Sequence, residues 1–276
     1  MEIDASGTPA ISRSTFIGSE PGPLAISDDA STVSVGLRGS GMVSKFDVNT
    51  HTLGLQFSLG SDAFFGIYRA ADIAFLPGST SAIAVSRYYS GVSPSFAGVA
   101  IYDDGVKRTN ETPGHTGANR IEFAASPSLL YGVNTETTEA GFRTIQIDAN
   151  GASVVKVVTH VLTGSEIRSQ GGLIYGSGGQ AVDPVTGTIV GSYVLPNDQN
   201  LSYPINALPD ITTNRFYILA QSFAGRVILT YDKSSFALLR STPVALLGNI
   251  TTAASLGNGR LAIANDAGTI YFLTIP

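Results

Sequence analysis

Residues 121 to 161 read IEFAASPSLLYGVNTETTEAGFRTIQIDANGASVVKVVTHV, a series of short apolar runs separated by turn residues. The runs starting at Ile121 and Leu129, the run ending in Ile147-Asp148 and the run from 152 to 161 are each too short for a stable helix. None carries a 3.6-residue period. Ser126-Pro127 and Asp148-Ala149-Asn150-Gly151 punctuate them. Asp accepts a hydrogen bond from the backbone two residues on, and Asn and Gly tolerate positive φ, so a run ending this way closes in a tight turn. The stretch predicts four consecutive antiparallel strands.

The same order recurs on either side. A β-branched or aromatic residue followed by Asp ends the third run at Phe46-Asp47, Tyr102-Asp103, Ile147-Asp148, Val182-Asp183 and Tyr231-Asp232. Upstream lie second runs at 32–37 (TVSVGL), 82–87 (AIAVSR), 129–134 (LLYGVN), 173–178 (LIYGSG), 216–221 (FYILAQ) and 261–266 (LAIAND). First runs carry an aligned apolar residue at Leu24, Ile73, Ile121, Ile167, Ile205 and Ile250, and fourth runs follow each Asp, as at 52–59, 152–161 and 188–195. Four strands per repeat, six times over, predict a single all-β domain, 1 to 276: a six-bladed β-propeller of four-stranded antiparallel blades. The blades fall near 22–59, 71–112, 118–161, 165–195, 204–241 and 249–275. The last repeat stops after a third run at 269–275, so a strand near 10–17 is expected to close the ring by supplying its fourth.

Composition agrees. Charged residues are 13% of the chain against 43% hydrophobic, with 31 Gly, as expected for a folded chain that turns often. No Cys is present, which excludes disulfides and thiolate metal sites. A net charge of −5 opposes a nucleic-acid partner, which needs a basic footprint, and no apolar run reaches the ~20 residues that span a bilayer.

The repeat resembles the bacterial YVTN, or lactonase-like, β-propeller family. The likeness rests on an apolar strand, a Pro/Asp/Gly turn (Asp28-Asp29, Pro77-Gly78, Ser126-Pro127, Pro209-Asp210), a second strand such as LLYGVN, and the Asp-ended strand before DPVTGTIVG. The family's Tyr-Val-x-Asn ending is best kept as Tyr131-Gly132-Val133-Asn134. Members of that family usually carry seven blades, one more than the repeats counted here. The resemblance implies an extracytoplasmic protein, periplasmic or secreted, whose leader is absent from this chain. It transfers no catalytic residue.

In such a fold the first strands line a central channel, and the positions flanking each aligned apolar residue share one side of the strand. They hold Asp72, Arg120, Glu122, Glu166, Arg168, Asn206 and Asn249, a concentrated polar set in a charge-poor chain. Their oxygens could hold a hard divalent cation such as Ca²⁺, and their arginines a carboxylate or phosphate. Equally, these residues could satisfy one another. Loops on the same face add Arg87 and Tyr88, from a segment rich in aromatic and small residues at 87–98, and His115, from PGHTGANR at 113–120. Aromatics beside Arg suit a small molecule, a carbohydrate or a protein ligand. No GxSxG, HExxH or P-loop occurs, and GSGGQA at 176–181 reads as a turn. The expectation is a binding or scaffold propeller. The alternative is a metal-assisted lactonase, esterase or phosphotriesterase with Glu122 or Glu166 as ligand or base and His115 as proton shuttle.

Overall fold

The second and third runs of most repeats are apolar at nearly every position, a pattern a strand keeps when both of its faces are covered. The computed structural model describes residues 2–4, 7–196, 201–222 and 225–276, which form strands and no helix. The chain is a six-bladed β-propeller, as the repeats predict. It divides into two compact units, 1–137 with 144–156 and 138–143 with 157–276.

The first unit opens with a hairpin of β1 (Glu2–Asp4) and β2 (Ala10–Arg13). Its first blade is β3 (Pro21–Ile26), β4 (Thr32–Leu37), β5 (Met42–Asp47) and β6 (Thr52–Ser58). A small hairpin, β7 (Ser61–Asp62) and β8 (Gly66–Ile67), leads to the second blade: β9 (Arg69–Phe75), β10 (Ala82–Tyr88), β11 (Phe96–Asp103) and β12 (Val106–Lys107). The third is β13 (Arg120–Phe123), β14 (Leu129–Val133), β15 (Gly141–Asp148) and β16 (Gly151–Thr159). In the second unit follow β17 (Ile167–Gln170), β18 (Leu173–Gly176), β19 (Gln180–Asp183) and β20 (Thr188–Ser192), then β21 (Ser202–Pro209), β22 (Arg215–Ser222), β23 (Gly225–Asp232) and β24 (Leu238–Val244). The last sheet is β25 (Ile250–Gly257), β26 (Arg260–Asn265) and β27 (Ile270–Thr274).

Alternation explains the unbroken apolar runs. In the second blade, Ile83, Val85, Ala100 and Tyr102 pack with Val43 and Phe57 of the first blade, while Ala82, Ala84, Val99 and Ile101 pack with Ile121, Leu130 and Ile145 of the third. The second unit repeats the scheme: Phe216, Ile218 and Leu229 face Tyr175 and Tyr193, and Tyr217, Leu219 and Ile228 face Leu261 and Ile263. Each buried Val, Leu, Ile or Phe contributes about 1.5–3 kcal/mol relative to exposure, so the middle strands of the second and fifth blades act as double-sided cores.

The Asp-ended turns form as expected. The carboxylates of Asp47, Asp148, Asp183 and Asp232 accept from the backbone N–H groups of Thr50 (2.7 Å), Asn150 (2.7 Å), Val185 (2.8 Å) and Ser234 (3.1 Å). Asp103 differs, taking both arms of Arg108 at 2.7 and 2.8 Å. Gly151 sits at φ +135° with its backbone bridged to Asn110 of the preceding blade, where a Cβ would strike the Asn110 carbonyl.

One expectation needs correction. The strand sought near 10–17 pairs as β2 with β1, and the last sheet has three strands among the described residues. Ala10-Ile11-Ser12-Arg13 offers one large apolar side chain, Ile11, which stays 66% exposed, too little apolar surface to pack as a blade strand. The aligned first-strand residues differ in burial. Ile73, Ile121 and Ile167 are buried, Leu24 is 65% exposed, Ile250 is half-buried, and the side chain of Ile205 lies outside the described residues.

Candidate functional site

In the first unit the first strands β3, β9 and β13 lie side by side, and two of the expected residues cross-link them. Asp72 Oδ2 accepts from the Ile121 N–H at 2.9 Å, and Arg120 Nη1 donates to the Ala71 carbonyl at 2.6 Å. This reciprocal pair fixes β9 against β13. At this strand end an open cleft of ≈ 280 Å³ is lined by Arg38, Ala71, Tyr88, Ser95, Asn119, Arg120, Thr135 and Glu136.

The cleft is assembled from equivalent ends of neighbouring strands. Arg38 follows β4, Tyr88 ends β10, Thr135 and Glu136 follow β14, Ser95 precedes β11 and Asn119 precedes β13. These ends share the face where second strands finish and first strands begin, the face that sequence singles out for ligands. Its polar groups are held from below. Glu136 accepts from the Ser95 N–H (2.7 Å), the Phe96 N–H (3.2 Å) and Asn119 Nδ2 (3.1 Å), and Asn119 Oδ1 accepts from the Thr135 N–H at 3.1 Å. Desolvation opposes the Glu136 charge, but the bonds from Ser95, Asn119 and Phe96 outweigh it and hold the carboxyl below the ordinary range, so it is ionised at neutral pH.

Of the loop candidates, only Tyr88 lines the cleft. Arg87 points the other way along β10, is 1% exposed, and pairs with Glu111 at 3.0 Å and the Ala97 carbonyl at 3.0 Å while lying 4.2 Å over the Tyr68 ring. It braces the interior of the blade. Consecutive strand residues face opposite ways, so Arg87 and Tyr88 could not both reach one site. His115 is exposed in a turn at φ 76°, its ring bonded to Thr116 at 3.0 Å and its N–H to the Phe96 carbonyl. Glu122 is half-buried on β13 opposite Tyr131.

In the second unit three of the polar candidates pair with one another, although buried Asn206 Oδ1 is left without a hydrogen-bond partner. Glu166 Oε2 accepts from Asn206 Nδ2 at 2.8 Å and stands 3.4 Å from Arg168, whose Nη1 donates to the Ile167 carbonyl at 2.9 Å. Asn206 is only 2% exposed, because the register of β21 on β22 shifts between Pro204 and Asn206 and turns it inward. Asn249 precedes β25 and is exposed; its N–H and Nδ2 donate to the Asp266 carboxylate at 3.0 and 2.8 Å, locking a turn. Among the described residues no three His, Cys, Asp or Glu side chains converge where a metal ion could sit.

Sequence reasoning missed Arg38, Asn119, Glu136 and Thr135. The available signal was the residue just past each second strand, which shares an end of the blade with the start of each first strand.

No protein-family model matches the chain, and no curated protein sequence does. Solved structures do. The β-propeller domain of Myceliophteria thermophila Cps50 (Swd1) is similar with a TM-score of 0.66 at 11% identity, over 93% of this chain and 84% of that one. Kuenenia stuttgartiensis hydrazine synthase is similar with a TM-score of 0.65 at 15% identity, over 92% and 83%. At these identities the likeness is one of fold.

Proposed function

We propose that this chain is a binding propeller and that the cleft of its first unit holds a small ligand. One observation carries the reading: Asn119, Arg120 and Glu136 converge on a concave opening with their orientations already fixed by bonds to neighbouring backbone and to each other. Such preorganisation lowers the ordering cost of binding. Tyr88 adds an aromatic wall. The repeats support a scaffold of the YVTN, lactonase-like type, and with it an exported bacterial setting. A hydrolase is the weaker reading, because His115 is bonded to its neighbour Thr116 and lies outside the cleft.

A thermal-shift panel of small sugars, carboxylates and phosphates tests this. Asn119→Ala should abolish the shift given by any positive probe, whereas Glu122→Gln should leave it intact. The reverse pattern would move the site from the cleft to the strand interior. Turnover of lactone, ester or phosphotriester substrates, lost in Glu122→Gln, would restore the hydrolase.

A further inference from the structure

The cleft gathers cations in a chain whose net charge is −5. Arg38 and Arg120 line it directly. Arg69 stands beside Arg38, its Nε donating to the Arg38 carbonyl at 2.7 Å. Against the two arginines of the lining stands a single carboxylate, Glu136, and its oxygens already accept from Ser95, Phe96 and Asn119.

Several arginines elsewhere have carboxylate partners. Arg87 pairs with Glu111, Arg108 with Asp103 and Arg143 with Glu139. The Arg38 guanidinium has no hydrogen-bond or ion-pair partner among the described residues, and Arg69 has no carboxylate partner there. Arg38 and Arg69, adjacent like charges, repel, and an anion placed between them relieves that repulsion. A guanidinium offers a planar fork of donors matched to two oxygens of a carboxylate or phosphate.

We infer that the cleft recognises an oxyanion, a carboxylate or phosphate group, gripped by the side chains of Arg38 and Arg69 beside Arg120, with the body of the ligand against Tyr88. This rests on the cleft being the ligand site and specifies the ligand's charge. Glu136 then acts as a positioning residue, holding Asn119 and the loop that starts β11.

Calorimetric titration with citrate, inorganic phosphate and glucuronate, with glucose as the neutral counterpart of glucuronate, tests the inference. Glucuronate should bind and glucose should not, and Arg38→Gln should weaken every anionic probe about tenfold or more. Raising salt from ~0.05 to ~0.5 M should weaken binding further. Arg38→Lys separates the two sources of the oxyanion: it should spare phosphate, which accepts a point charge, more than a carboxylate held by the fork. Since Arg38 is exposed and unpaired, unchanged melting of Arg38→Gln will show that the fold is intact. Glucose binding as well as glucuronate, lost in Asn119→Ala but indifferent to Arg38→Gln and to salt, overturns the oxyanion while sparing the cleft. Binding of anionic probes that neither Arg38→Gln nor Asn119→Ala weakens, or no binding of any probe, overturns both.

Discussion

The polar residues of the two units look alike in sequence and do opposite things in space. In the second unit Glu166, Arg168 and Asn206 close on one another, with Asn206 sealed at 2% exposure. In the first unit Arg120, Asn119 and Glu136 are tied to backbone yet face an opening, and the Arg38 guanidinium beside them has no partner among the described residues. A paired cluster under cover contributes to holding strands together, and its removal shows in stability. A preorganised cluster at an opening contributes little to stability, and its removal shows in binding.

That contrast can be broken at several points. The largest effect is expected at Arg87, the candidate that proved interior. Arg87→Ala should destabilise by about 3 kcal/mol, read by denaturant unfolding, since it empties a buried space and strips the Tyr68 ring and Glu111 of a partner. A cost under about 0.5 kcal/mol would place Arg87 with the ligand-facing residues.

Asp210 comes next. It is fully buried, and its carboxylate accepts from Thr212 and Thr213 in its own turn and from the Gly259 N–H at 2.9 Å, joining the fifth blade to the last sheet. Desolvation opposes its charge, but the bonds from Gly259, Thr212 and Thr213 prevail and bring its pKa down to about 2 from an ordinary 3.8. A lowered carboxylate stabilises the fold above its ordinary value and loses that contribution as pH falls through the interval towards about 2. Asp210→Asn should therefore cost on the order of 2 kcal/mol at neutral pH and flatten the acid limb of the stability curve between about pH 4 and 2. An unchanged acid limb would show that Asp210 is not the group that titrates there.

Smaller again is Glu166→Ala, expected to cost about 1–2 kcal/mol by leaving buried Asn206 Nδ2 without its acceptor, with no effect on ligand binding. Loss of ligand binding in this variant would merge the two clusters into one site. The smallest is Arg38→Gln, which should alter stability by less than about 0.5 kcal/mol.

The contrast also marks what sequence can convey. The blades were legible because a double-sided core leaves a continuous apolar run at residues such as 82–87 and 216–220, and because Asp47, Asp148, Asp183 and Asp232 announce their turns. The site was legible only as a neighbourhood. Asp72 and Arg120 were found, but their roles as cross-links between β9 and β13 depend on partners 49 residues away in sequence. Asn206 was assigned to an open side, and a one-residue register shift buried it. Arg38 was passed over because it stands alone after a strand, and the arginine that shares its cleft comes from another blade. Alternation gives the side of a strand, whereas the pairing of each polar group is decided by segments far along the chain.

Amide chemical-shift mapping tests the account most directly. The chain would be titrated with whichever panel probe raises its melting temperature most. The expected result is that the largest displacements fall at Ala71, Ser95, Asn119 and Thr135, with Ser169 and Ala207 unmoved. Displacements centred on Glu166 and Asn206, or no probe that moves any of these amides, would contradict it.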